Sequence, residues 1–154
     1  EAIQNGLTVT LDMSHLSEEE QKKAFVGTVF GLKLDYNSSF RKGNKVSSKV
    51  KAFGKYKVGF DNVAPRIYNP NFIEGSNISK LSTLSVSISD ALSGIDTYNA
   101  YLNGEWILME YDYKTKKLVH NLKDGKVISG KNDIKIVVTD KLDNTATFSS
   151  NFIY

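Results

Sequence analysis

Apolar and polar residues alternate one by one through several short runs of this chain, and a period of two admits a half-buried β-strand and little else. Leu84, Val86 and Ile88 alternate with Ser85, Ser87 and Ser89, and Tyr98, Ala100 and Leu102 follow. Ile134, Ile136 and Val138 alternate with Lys135 and Thr139, and Ala146, Phe148 and Phe152 close the chain. Turn-rich intervals separate these runs, with the spacing of strands in a sandwich. Asn103-Gly104 lies between two of them and is the strongest hairpin signal, because a type I′ turn needs positive φ at both central residues. Asp124-Gly125 marks another turn. Trp106-Ile-Leu-Met109 is apolar on both faces, which predicts a strand packed on the core on one side and partly covered on the other.

The earlier part of the chain is also mostly β. Leu7, Val9, Leu11 and Met13 alternate with Thr8, Thr10 and Asp12, a strand pattern. Ser17-Glu-Glu-Glu20 is a capping box, so one or two helical turns are expected to about Ala24. Val26 to Tyr36 returns to strand character, Asn37 to Asn44 reads as a polar loop, and Lys45 to Ala52 as a strand. Tyr56, Val58 and Phe60 then face one way and Lys55 and Lys57 the other. The alternation stops at Asp61-Asn-Val-Ala-Pro65, where Pro65 removes a donor and holds Ala64 extended, as in a linker. The expected class is therefore all-β: an immunoglobulin-like or fibronectin-like β-sandwich over 63–154, preceded over 1–62 by a smaller, mostly β segment with one short helix. That segment offers about four strands where a sandwich usually has about seven. It reads as the C-terminal part of a preceding β domain, with opening strands expected upstream of Glu1. Completion by the second domain or by another copy is an alternative, so a monomer and a strand-exchanging dimer are both open.

Composition narrows the functional classes. Cysteine is absent, which removes disulfides, thiolate metal sites and thiol nucleophiles. There is no run of 18 apolar residues, and Glu1 is expected to be a processed or trimmed start. Lys and Arg outnumber Asp and Glu ten to seven up to Val63 and equal them at ten each from Ala64 on, so the net +3 lies in the first part. Arg41, Lys42, Lys45, Lys49, Lys51, Lys55 and Lys57 stand together with no acid among them. Such a density attracts an anionic polymer, and it also suits edge strands, where lysine discourages aggregation. No aromatic is interleaved on the lysine face, so nucleic acid is not an expected partner.

Candidate chemistry is sparse. His15 and His120 are the only histidines, each alone in its segment, and no zinc site is expected from two such residues. No serine has a nucleophile-elbow context and no glycine-rich loop opens a helix, so no catalytic residue is assigned and the chain is not read as an enzyme. In a sandwich the loop Asp90–Asp96, the loop Asp140–Asn144 and the linker at Asp61 are expected at one end. Asp61, Asp90, Asp140 and Asp143 are thus candidate calcium ligands at the domain junction, since calcium accepts irregular sets of oxygens. Turn capping is the competing use of the same residues, and no other cofactor is expected. Trp106, Tyr111 and Tyr113 lie on or beside a long hairpin and are the candidate ligand-binding residues, with core or interface packing as the alternative.

Four strings carry a resemblance: Lys45-Val-Ser-Ser-Lys-Val-Lys-Ala-Phe-Gly-Lys-Tyr-Lys-Val-Gly-Phe-Asp-Asn-Val-Ala-Pro65, Ile88-Ser-Asp-Ala-Leu-Ser-Gly-Ile95, Tyr101-Leu-Asn-Gly-Glu-Trp-Ile-Leu-Met-Glu-Tyr-Asp112 and Val137-Val-Thr-Asp-Lys-Leu-Asp-Asn144. Together they resemble the C-terminal region of large lysostaphin-type zinc metallopeptidases of Bacteroidetes, in which β domains follow a peptidoglycan endopeptidase domain. The third string is the most specific; Asp-x-x-Ala-Pro and Ser-Gly-Ile recur in many bacterial immunoglobulin-like repeats. The peptidase's His-x-His and His-x-x-x-Asp motifs are absent, so no catalytic residue carries over. The resemblance implies a non-catalytic accessory region of an envelope or secreted peptidase, in the periplasm, on the outer membrane surface or outside the cell. Its partners would be the peptidase domain of the same polypeptide and peptidoglycan or another glycan. A glycan-binding or adhesive module and a structural spacer are the alternatives.

Overall fold

The structure is a computed structural model that describes residues 2–154, and the chain divides into compact units of residues 1–63 and 64–154. In the first unit the elements are β1 (Ala2–Asp12), α1 (Glu18–Lys22), β2 (Ala24–Phe30), β3 (Lys33–Asn37), β4 (Ser39–Lys42), β5 (Lys45–Ala52) and β6 (Tyr56–Phe60). They form two antiparallel three-stranded sheets, β1-β5-β4 and β3-β2-β6. Alternation explains the inner faces: Met13, Ala24, Val26 and Val46 are buried together, with Val9, Leu11, Leu16, Tyr56 and Val58 packed against them. The helix forms as its capping box predicts, with the Glu20 amide donating to Ser17 Oγ at 3.3 Å and the Ser17 amide to Glu20 Oε2 at 2.9 Å.

Six strands correct the expected four. The stretch from Val26 to Tyr36 is a hairpin rather than one strand, turning at Gly31-Leu32 with Gly31 at φ 58°. The expected polar loop contains β4, which pairs with β5 across a turn at Gly43-Asn44. Its polar, cationic composition hides it because it is an edge strand and buries little. Where the chain passes between the sheets, side chains extend the ladders: the Val26 amide donates to Ser39 Oγ and Asn37 Nδ2 donates to the Val26 carbonyl, both at 2.9 Å. The described residues of the first unit are thus richer in strands than the alternation alone shows.

The β3-β2-β6 sheet also packs on its outer face. Phe25 is fully buried there, its ring 5.1 Å from that of Tyr36. Gly27 and Gly59 make room for this layer: a Cβ at Gly59 would lie 2.6 Å from both Phe25 Cζ and Leu34 Cδ2, and one at Gly27 2.4 Å from Leu34 Cδ1. Phe60, which shares the alternation of Tyr56 and Val58, lies at the strand end and stays 39% exposed.

The second unit contains β7 (Arg66–Tyr68), β8 (Thr83–Ser89), β9 (Ile95–Leu102), β10 (Glu105–Ile107), β11 (Glu110–Asp112), β12 (Lys117–Asn121), β13 (Lys131–Asp140) and β14 (Thr145–Ile153). Two four-stranded antiparallel sheets result, β7-β8-β12-β11 and β10-β9-β13-β14. Labelled from A in chain order, with β10 as C′, these are the ABED and C′CFG sheets of an immunoglobulin-like sandwich. Leu84, Val86 and Ile88 from one sheet meet Ala100, Leu102, Ile134, Ile136, Val138 and Phe152 from the other in a single core. The Asn103-Gly104 turn has φ of 53° and 86° at its two residues, as type I′ requires. The hairpin it makes is short. After Ile107 the chain crosses to the opposite sheet through Leu108-Met109, and the Leu108 carbonyl meets His120 Nδ1 at 2.9 Å.

Gly59→Ala should destabilise the first unit by about 1–3 kcal/mol in chemical denaturation, because the new methyl would overlap the Leu34 side chain and the buried Phe25 ring, which must shift to admit it. Gly27→Ala should cost less in a Leu34→Ala background than alone. A neutral Gly59→Ala would contradict this packing.

Candidate functional site

The register of the C′CFG sheet sets which side chains face solvent. Ile134 pairs with Leu102 and Ile136 with Ala100, all buried, so the intervening Lys135 and Tyr101 point outward. Across the type I′ turn Tyr101 pairs directly with Trp106, and across β13 Lys135 pairs with Ser149. One outward row therefore runs Trp106, Tyr101, Lys135, Ser149. Directly opposed residues have Cβ atoms about 4.5–5.5 Å apart, so the two aromatic side chains are neighbours. Trp106 is 54% exposed, and its indole N–H donates to Asn99 Oδ1 at 3.3 Å, which turns the ring along β9. The covering expected over the outer side of Trp106-Ile-Leu-Met109 is absent within this unit: Ile107 and Met109 are buried while Trp106 and Leu108 are open.

A groove of about 590 Å³ lies beside this row, bordered by Glu74, Tyr101, Asp133, Lys135, Ser149 and Asn151. Its rim is held in place by backbone and side-chain bonds. The Gly75 amide donates to the Asn151 carbonyl at 2.9 Å, and Asn151 Nδ2 donates to Glu74 Oε1 at 3.1 Å. The Asp133 amide donates to Asn103 Oδ1 at 2.9 Å, and Asp133 pairs with Lys131 at 3.1 Å. Carboxylate, ammonium, amide and hydroxyl groups thus line the groove together with Tyr101.

Tyr111 and Tyr113 do not join Trp106. Tyr111 pairs with the buried Leu118 and so takes the inward side of its edge strand, where its ring lies 5.9 Å from that of Tyr98. Tyr113 sits in the following turn, 71% exposed. That turn is organised by Asp112, whose carboxylate accepts from the Thr115 hydroxyl at 2.8 Å and the Lys114 amide at 2.9 Å. These bonds, the hydroxyl's first, hold its pKa below the ordinary 3.8. Tyr101 is the aromatic residue that the sequence reading passed over. Its signal was present: inward Ala100 and Leu102 make Tyr101 outward, and a two-residue turn at Asn103-Gly104 places it opposite Trp106.

The aspartates act first on their own turns. Asp90 Oδ2 accepts from the Leu92 and Gly94 amides at 2.9 and 2.8 Å. Asp140, fully buried, accepts through Oδ1 from the Leu142 and Asn144 amides at 2.8 and 2.9 Å and through Oδ2 from Asn144 Nδ2 at 2.7 Å. Carboxylate oxygens of Asp90 and Asp140 lie within 4.8 Å of each other. Asp143 instead occupies the turn itself, exposed and at φ 60°. In the first unit the Asp61 amide donates to the Lys23 carbonyl at 3.0 Å and its carboxylate accepts from the Val63 amide at 3.1 Å. The histidines stay apart in their roles as well: His15 is exposed, while His120 is buried with Nε2 3.5 Å from the Asp124 carboxylate.

No protein-family model matches the chain, and no curated protein matches it. Among solved structures the chain is similar to the fibronectin(III)-like modules of Clostridium thermocellum CbhA, at 13% identity over 98% of this chain and 87% of that one, with a TM-score of 0.41. The sandwich is accordingly assigned from its own strand order and registers.

Asp140→Ala removes the carboxylate that accepts from the buried Leu142 and Asn144 amides and should lower the unfolding free energy by about 3 kcal/mol. Asp143→Asn, which tolerates the left-handed turn, should change it by less than about 0.5 kcal/mol. Equal effects in chemical denaturation would contradict the assignment of the turn to Asp140.

Proposed function

We propose that this chain is a non-catalytic accessory region of an envelope or secreted protein, and that its second unit holds an extended glycan along the outer face of the C′CFG sheet. The carrying observation is the exposed Trp106 paired with Tyr101 beside the polar groove. Aromatic faces pack on the C–H faces of sugar rings, and Asp133, Lys135, Ser149 and Asn151 supply donors and acceptors for ring hydroxyls. An open groove on a sheet suits a chain-like ligand running past it rather than a small molecule enclosed by it. The resemblance in sequence supports a peptidoglycan peptidase as the parent protein and peptidoglycan as the glycan. A spacer needs neither the open tryptophan nor the groove.

In sedimentation with purified insoluble peptidoglycan, binding should persist at moderate salt and fall about tenfold in Trp106→Ala, a loss of about 1.4 kcal/mol. Tyr101→Ala should weaken it similarly, while Tyr113→Ala should leave it unchanged. Binding that disappears with salt and is indifferent to Trp106 would overturn the proposal and assign retention to the lysines of the first unit.

A further inference from the structure

A second surface lies in the first unit, on residues the glycan reading does not use. The β2–β3 turn carries Phe30 and Leu32, which are 62% and 107% exposed, and the connection between β5 and β6 carries Phe53, 68% exposed. These segments meet at one end of the sheets: the Val29 amide donates to the Lys55 carbonyl at 2.9 Å, one residue from Phe30 and two from Phe53. The Tyr56 hydroxyl donates to the Ala52 carbonyl at 2.6 Å, which fixes the connection and leaves Phe53 projecting. Lys33, Lys51 and Lys55, all exposed, lie within two residues of these apolar side chains in the same two segments, and no carboxylate occurs in residues 29–34 or 45–57.

We propose that this end of the first unit docks on the surface of a phospholipid bilayer carrying anionic headgroups. The apolar groups stand on turn tips rather than on a flat face, and tips enter the boundary between headgroups and acyl chains where a protein partner would need a matching cavity. Lysines around them reach outward to lipid phosphates, with their aliphatic stems over the apolar rim. Charge complementarity selects the anionic surface, since the two segments carry cations and no acid. Leu32, fully open at a two-residue turn, contributes nothing to the fold that its exposure would explain.

The test is co-sedimentation of the chain with vesicles of phosphatidylcholine alone and of phosphatidylcholine with 30% phosphatidylglycerol, roughly the anionic content of a charged leaflet. Binding is expected to the mixed vesicles and at least about tenfold weaker to the neutral ones, with a decline as salt rises. Leu32→Ser with Phe53→Ser should reduce partition about tenfold or more while circular dichroism and the melting midpoint stay unchanged. Lys33→Gln with Lys55→Gln should weaken it and flatten its salt dependence. Failure to bind mixed vesicles, equal binding to both compositions, or equal binding by the Leu32/Phe53 variant would each overturn the proposal. Concentration-dependent dimerisation abolished by Leu32→Ser would overturn it in favour of a second copy of the chain on this surface. None of these outcomes depends on Trp106, so they are separate from the glycan test.

Discussion

β13 pairs along its length with β9 on one side and β14 on the other, and the alternation it carries orders the second unit. Ile134, Ile136 and Val138 lie in the core, so a slip of one residue would drive Lys135 inward and expose three β-branched side chains. Each such exchange loses about 1.5–3 kcal/mol of burial per large apolar side chain, besides the cost of a buried ammonium. The register is therefore unambiguous, and it determines the opposite face as firmly as the core. Tyr101, Lys135 and Ser149 are outward because their neighbours are inward. Trp106 joins them because a two-residue turn with positive φ at both positions allows one pairing of β9 with β10.

The binding surface proposed here is thus a by-product of rigid elements. Its aromatic pair stands on paired strands, and its polar groups come from the outward positions of β13 and β14 and from a loop tied down through Asn151. Groups held this way lose little freedom when a ligand arrives, which favours modest but specific binding. The first unit follows another logic. Its inner core is small, and it gains a second packed layer by leaving Gly27 and Gly59 without side chains under Leu34 and Phe25. Its β2–β3 turn and its β5–β6 connection leave Phe30, Leu32 and Phe53 open.

Much of this was legible in the chain itself. The sandwich strands follow from alternation, the β9–β10 turn from Asn103-Gly104, the helix from Ser17 and Glu20, and the end of the first unit from Asp61 to Pro65. Short elements were harder. β4 is polar because an edge strand buries little, so composition speaks for a loop while the ladder to β5 makes a strand. The hairpin at Gly31-Leu32 was hidden by a single glycine in an apolar run. The crossing at Leu108-Met109 has no local marker: alternation continues through it, and only the packing of Met109 and the bond from His120 to the Leu108 carbonyl show that the chain has changed sheets. That crossing separates Tyr111 from Trp106, so the cross-strand neighbour of Trp106 is Tyr101 rather than the tyrosines that follow it in sequence.

Trp106 is the single tryptophan of the chain, so its fluorescence reports on the proposed surface without labelling. The most direct measurement is a titration of that emission with soluble peptidoglycan fragments of defined length. A saturable shift to shorter wavelength is expected, with an affinity that rises with the number of sugars and falls in Tyr101→Ala. Emission that stays unchanged while the chain still sediments with insoluble wall would place the contact elsewhere and contradict a glycan site on this face.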